Sequence, residues 1–153
     1  MSIAIAPAAL HHLAEIVRIE RETFPDPWSE ALLARKMEDL TTIFCVAEQG
    51  RCVLGYAILQ RIDPEAEVIN IAVAKDARRQ GIGHRLLEAL LADAKEQGIE
   101  AIHLEVRAGN TAAIALYKSQ GFQPIGLRKN YYQTPREDAI LMVCQIPQEG
   151  TNA

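Results

Sequence analysis

Residues 68–97 read VINIAVAKDARRQGIGHRLLEALLADAKEQ, and this stretch decides the fold. Val68 to Val73 form a short β-branched apolar run with the length of a buried strand. A basic, glycine-bearing loop follows from Lys75 to Gly83. Then Ile82, Leu86, Leu87, Leu90, Leu91 and Ala94 recur at helical spacing up to Gly98, a residue suited to the position just past a helix end. Strand, glycine turn and helix in that order make an anion site. The first helical turn has N–H groups without partners, and glycine lets a ligand approach the backbone closely. Arg78 and Arg79 add positive charge at the same place. The predicted ligand carries phosphate.

Outward from this unit, residues 2–6 predict a strand ended by Pro7. Residues 10–22 predict an amphipathic helix with Leu13, Ile16, Val17 and Phe24 on one face. Phe24-Pro25-Asp26-Pro27-Trp28 breaks that helix, and Ser29 is a good N-cap for a second one carrying Leu32, Leu33 and Met37. Trp28 therefore sits in a rigid connection, either closing the core or facing a substrate. Residues 43–48 and 52–61 read as a hairpin around Gln49-Gly50-Arg51, with a second turn at Asp63-Pro64-Glu65.

After the central helix, residues 99–106 read as a strand. A crossover of this length predicts that it runs parallel to the strand at Val68 to Val73. Asn110 or Thr111 caps a helix over 111–120, closed by Gly121. Two closing strands, 122–127 and 139–146, are expected on either side of a polar and aromatic loop over 128–138. The expected architecture is one α/β domain over residues 1–147, a mixed sheet of about seven strands flanked by about four helices. A flexible tail is expected over 148–153.

The 153 residues carry 49% apolar and 24% charged side chains with a net charge of −4, ordinary for a globular protein. That charge argues against nucleic acid as the main partner and favours a basic one. Cys45, Cys52 and Cys144 are odd in number and lack C-x-x-C spacing. They read as buried thiols of a reducing compartment, and no His/Cys/Asp/Glu spacing suggests a metal. The N-terminus lacks the pattern of a signal peptide, and no apolar run approaches the ~18 residues of a membrane span. A cytoplasmic location is expected.

Spacing narrows the phosphate ligand. The Walker pattern needs a Gly-Lys pair, which is absent, and Leu86 stands where a dinucleotide fingerprint needs its third glycine. What remains is Arg78-Arg79-Gln80-Gly81-Ile82-Gly83, R-x-x-G-x-G after a strand and opening a helix. This resembles the acyl-CoA pyrophosphate loop of the GNAT N-acetyltransferase superfamily, and the order of elements resembles that superfamily along nearly the whole chain. Leu104-Glu105-Val106-Arg107, Asn110, Ala112-Ala113, Leu116-Tyr117, Gly121-Phe122, Asn130-Tyr131-Tyr132, Asp138-Ala139 and Pro27-Trp28-Ser29 look like the RimI-type ribosomal-protein-alanine N-acetyltransferases.

The resemblance implies transfer of acetyl from acetyl-CoA to the N-terminal α-amine of a basic ribosomal protein, by direct attack, in a chain that is plausibly monomeric. An α-amine with a pKa of about 7.7–8.0 needs only roughly 1 kcal/mol to be neutral at pH 7, against roughly 4–5 kcal/mol for lysine. The resemblance places the proton acceptor at Glu105, with a pKa raised by burial or a proton relayed by water. A carboxylate merely paired with Arg107 or a neighbour is the alternative. It places the acid for the departing thiolate at Tyr117, which otherwise reads as a core tyrosine.

The backbone of Ile71, Ala72 and Val73 is expected to pair with the pantetheine amides. The amides of Arg79, Gln80, Gly81, Ile82, Gly83 and His84 are expected to hold the pyrophosphate. Asn110 is either a pantetheine contact or a plain helix cap. Trp28, Tyr131 and Tyr132 are candidates for the wall of the acceptor slot, or for loop packing. Gly109, where the resemblance leads one to expect serine, is expected to loosen the loop before Asn110. His84 and His103 are expected to solvate and pack. Rival functions are transfer to lysine or a small amine, and acyl-CoA binding without catalysis.

Overall fold

A computed structural model describes residues 2–148. The elements in chain order are β1 (Ala4–Pro7), α1 (Leu13–Thr23) after a 3-10 turn at Leu10–His12, α2 (Glu30–Glu38), β2 (Thr42–Gln49), β3 (Cys52–Ile62) and β4 (Glu65–Val73). Then come α3 (Ile82–Glu96), β5 (Ala101–Arg107), α4 (Thr111–Ser119), β6 (Gln123–Gln133) and β7 (Arg136–Gln145). The seven strands form one sheet in the order β1-β2-β3-β4-β5-β7-β6. Every neighbouring pair is antiparallel except β4 and β5, which are parallel as the crossover through α3 demands.

The apolar period of α3 puts Leu86, Leu87, Leu90 and Ala94 wholly in the core. Burying each leucine contributes about 1.5–3 kcal/mol relative to exposure. Leu86 meets the sheet at Gly55, where an added Cβ would lie 3.2 Å from the leucine and 2.7 Å from the Ala72 carbonyl oxygen. The next residue, Tyr56, points to the other face and bonds to Glu20 of α1. Helices α1 and α3 therefore cover opposite faces of the sheet. Ser29 caps α2 as expected, its Oγ accepting from Leu32 N–H at 3.1 Å.

Two expectations are corrected. Residues 128–138 are not a loop but the far ends of β6 and β7, joined by a tight turn at Thr134-Pro135. Side chains of β6 are exposed on both faces, so no buried alternation marks the strand; the ladder to β7 holds it, with Arg107 of β5 stacked on Tyr132 near its end. Cys52 is exposed, unlike Cys45 and Cys144. Of the expected tail, 149–153 lie outside the described residues, and Gln148 donates through Nε2 to the carbonyls of Ile99 and Ile146. Among the described residues no helix is long and apolar enough to cross a membrane.

Candidate active site

The site begins as a defect in the sheet. Strands β4 and β5 pair only at Ala66–Ile102 and Glu67–His103, then part. The register of β3 on β4 slips between Ile58 and Leu59, leaving Ile69 as an extra residue on β4. Such a bulge bends its strand and raises the local twist. Meanwhile β5 stays straight on β7 as far as Arg107–Ala139. A cleft of about 430 Å³ opens between them, bounded also by Phe24 and Trp28 on one side and by Asn110 and Tyr117 on the other.

Register also decides which backbone groups reach this cleft. The Ala74 N–H bonds to the Leu54 carbonyl, so Val73 and Gly55 are a non-hydrogen-bonded pair and Ala72 and Tyr56 a bonded one. Ile71 and Val73 thus turn their N–H and C=O toward the gap, whereas those of Ala72 are taken up by β3. The Val73 carbonyl accepts a 3.3 Å bond from Arg78 Nε.

At the open end of the gap, Arg79 and Gly81 both adopt left-handed backbone, φ 66° and 76°. Gly81 caps α3 with no side-chain bond to the first turn, whose first intrahelical bond is Arg85 N–H to Gly81 C=O. The amides of Ile82, Gly83 and His84 are therefore free of helical partners, and beyond its chain neighbours no heavy atom lies within 4 Å of where a Gly81 Cβ would stand. Arg79 and Gln80 are exposed beside them. Lined by free amides and flanked by Arg78 and Arg79, this turn offers the donors and charge that a phosphate group takes. The His84 ring contacts Gln120 Nε2 at 2.9 Å, and His103 pairs with Glu65 at 2.8 Å.

Glu105, Tyr117, Asn110, Trp28 and Tyr132 all line the one cleft. Glu105 keeps one carboxylate oxygen, Oε2, buried without a hydrogen-bond partner, while Oε1 lies 3.9 Å from Arg128 Nη1. The bond that the Tyr131 hydroxyl donates to Glu105, then burial, and then the Glu105 charge raise that hydroxyl's pKa above the usual tyrosine range. Arg107 does not pair with Glu105; it turns to Glu137 at 3.2 Å and to the carbonyls of Thr134 and Pro135. Tyr117 is buried against Phe122, with ring centroids 5.6 Å apart. Burial, and then the field of Tyr132, push its hydroxyl up to about 12. Asn110 does cap α4, its Oδ1 accepting from Ala113 N–H at 3.1 Å.

Tyr131 stands outside the cleft lining, 44% exposed and 5.4 Å from the Arg128 guanidinium. Its ring meets Tyr132 edge-on at 5.1 Å. Gly109 does not loosen the loop, because its N–H donates to Glu137 Oε2 at 2.6 Å and pins it. His11, His12 and Glu48 gather although no spacing linked them, since Glu48 arrives from β2. His12 accepts from Ala9 N–H through Nδ1, so Nε2 carries the proton and donates to Glu48.

Glu20 is the cleft residue that spacing missed. It is 1% exposed and accepts from the Tyr56 hydroxyl, from Asn70 Nδ2 at 2.9 Å and from Trp28 N–H at 2.9 Å. Desolvation and the bond to Glu20 raise the Tyr56 pKa far above its usual value. Two signals were present in the chain: Glu20 falls within the apolar stripe of α1, and Asn70 interrupts the apolar run of β4.

Comparison with known proteins completes the description. The model of the Acetyltransferase (GNAT) family matches residues 13–122. A [ribosomal protein bS18]-alanine N-acetyltransferase of Escherichia coli strain K12 is 42% identical over 142 residues, 92% of this chain and 90% of that one. The crystal structure of the ribosomal-protein-S18-alanine N-acetyltransferase from Escherichia coli superposes with a TM-score of 0.90 at 37% identity, covering 99% of both chains. A phosphinothricin acetyltransferase from Sinorhizobium meliloti in complex with AcCoA superposes with a TM-score of 0.85 at 25% identity, covering 100% of this chain and 92% of that one.

Proposed function

Because this chain belongs to the acetyltransferase (GNAT) family, we propose that it carries acetyl from acetyl-CoA to the N-terminal α-amine of a protein, a ribosomal protein beginning with alanine. Likeness to the Escherichia coli bS18-alanine enzyme over nine-tenths of both chains supports the acceptor. The observation that carries the chemistry is the parted pair β4 and β5, with the outward backbone of Ile71 and Val73 on one lip and Glu105 on the other. An acceptor of this kind implies a cytoplasmic reaction.

In this reading the outward groups of Ile71 and Val73 extend the sheet by pairing with the pantetheine amides, as an added strand does. The turn from Arg79 to His84 takes the pyrophosphate, and Asn110 stands by the pantetheine arm. Acetyl-CoA, when bound, supplies the activated acyl carbon and a thiol leaving group. The amine nitrogen–carbon bond forms as the carbon–sulfur bond breaks, so no Ser or Cys nucleophile is needed.

Glu105 accepts the proton that the attacking amine loses, directly or through one water. The partnerless Oε2 is an acceptor site turned inward at that wall. Tyr117 faces the departing sulfur. With its hydroxyl at about 12 and a thiol at about 8.5, full transfer is roughly 4–5 kcal/mol uphill, so Tyr117 acts chiefly by donating a hydrogen bond. Trp28 and Tyr132 flank the incoming chain, and Tyr131 restrains Glu105.

The test uses acetyl-CoA with two peptides, one with a free N-terminal alanine and one blocked there but bearing lysine. Acetyl on the α-amine alone is expected. Acetyl found only on lysine overturns the reading.

A further inference from the structure

We propose that Glu20 is a positioning residue that sets the width of the acceptor slot. This rests on the acceptor reading of the cleft given above. Two of its three donors belong to the slot wall, Trp28 from the connection between α1 and α2 and Asn70 from β4 next to the bulge at Ile69; the third, Tyr56 of β3, lies buried beneath them. One carboxylate therefore spans the distance between the tryptophan wall and the bent strand.

The chemistry of the group is specific to this task. A buried carboxylate is costly to hold, and an apolar side chain would fill the same core position of α1 more cheaply. No cation pairs with Glu20 among the described residues; all three partners are neutral donors. Only a side chain that accepts at both oxygens satisfies the three together. Oε1 takes the strand side, from Tyr56 and Asn70, and Oε2 takes the Trp28 backbone.

The Trp28 segment packs Phe24 and Trp28 against the core, with Lys36 6.0 Å from the tryptophan ring, and the bond to Glu20 adds a polar anchor. Pro25 and Pro27 remove two backbone donors and stiffen the chain, so the N–H bond from Trp28 is the polar tie that fixes its backbone to α1. Glutamine at position 20 keeps the size but turns an amide NH₂ toward either the Trp28 N–H or the Asn70 amide. One side of the span is lost.

Trp28 is the sole tryptophan of the chain, which makes the anchor observable without substrate. The experiment compares wild type, Glu20→Gln, Asn70→Ala and a control, Leu33→Ala, which hollows the core under α2 and touches none of the three bonds to Glu20. Expected for Glu20→Gln is a tenfold or greater rise in KM for an alanine-ended peptide, kcat within threefold and KM for acetyl-CoA within twofold. Its ligand-free tryptophan emission shifts to the red and quenches more readily.

Asn70→Ala cuts the other end of the span and serves if Glu20→Gln fails to fold. Its peptide KM rises at least threefold with tryptophan emission unmoved. Leu33→Ala lowers Tm and leaves the peptide KM within twofold. Unmoved peptide KM in both slot variants, or an equal rise in the control, overturns the proposal alone. No peptide acetylation by the wild-type chain overturns the reading of the cleft and this proposal with it.

Discussion

The Arg107 guanidinium stands 4.3 Å from the centroid of the Tyr132 ring, while its nitrogens donate to the carbonyls of Thr134 and Pro135. One side chain at the end of β5 thus fastens the β6–β7 turn and orients a tyrosine of the cleft wall. Substituting Arg107→Ala removes the stack and the fork together, with an expected loss of about 1–2 kcal/mol in urea unfolding. Arg107→Lys recovers the charge but not the planar fork, and recovers less than half of that loss. Both variants raise the peptide KM more than the acetyl-CoA KM.

Replacing Glu105 by glutamine keeps the shape of the wall and removes the base. kcat is expected to fall by about 10²–10⁴-fold, with both KM values within a few-fold. A second readout is independent of turnover. Tyr132 is pushed up to about 12 by burial and then by the Glu105 charge. Neutralising that charge eases ionisation, so the Tyr132 transition moves down toward the ordinary range in ultraviolet titration. An unmoved transition contradicts the geometry.

Tyr117 supplies the pH test. Its folded pKa, about 12, lies above the unfolded value of about 10. The folded state therefore holds the proton more tightly. The stability from this group is complete below pH 10 and is lost as pH rises through 12, in all about 2–3 kcal/mol. Tyr117→Phe removes that share of the alkaline loss, which thermal melts between these pH values measure. The wild-type rate shows no falling limb from Tyr117 below pH 10, while Tyr117→Phe lowers kcat at every pH.

At Gly55, β3 leaves no room for a side chain against the bent strand. An added methyl at 2.7 Å from the Ala72 carbonyl oxygen has only backbone to push against. Gly55→Ala is expected to destabilise the chain by about 1–3 kcal/mol in chemical unfolding and to raise the acetyl-CoA KM. A neutral result would mean that β4 shifts freely at Ala72.

The strand–turn–helix unit was legible because both its signals are local: a β-branched run at Val68 to Val73 and a helical apolar period from Ile82. The parallel partner followed from the length of the crossover. The two closing strands were legible, but not their extension through residues 128–138, since β6 buries almost none of its side chains there and reads as polar loop. Nor was the bulge at Ile69, whose cause is a register slip against Ile58 and Leu59 distant in sequence. Glutamate in the stripe of α1 made sense only once Asn70 and Trp28 stood beside it. Glu105 and Tyr117 were reached through resemblance; spacing alone left each with an ordinary structural role.

The seam at Ala66–Ile102 and Glu67–His103 joins the two halves of the sheet by only two residue pairs. A ligand that laces along the open edge acts as the missing ladder rungs, and it binds the folded chain but not the unfolded one. Each tenfold of free acetyl-CoA above its Kd then adds about 1.4 kcal/mol of resistance to unfolding. Thermal melts at rising acetyl-CoA concentration read this directly, as a steady climb in Tm that CoA-free buffer does not give.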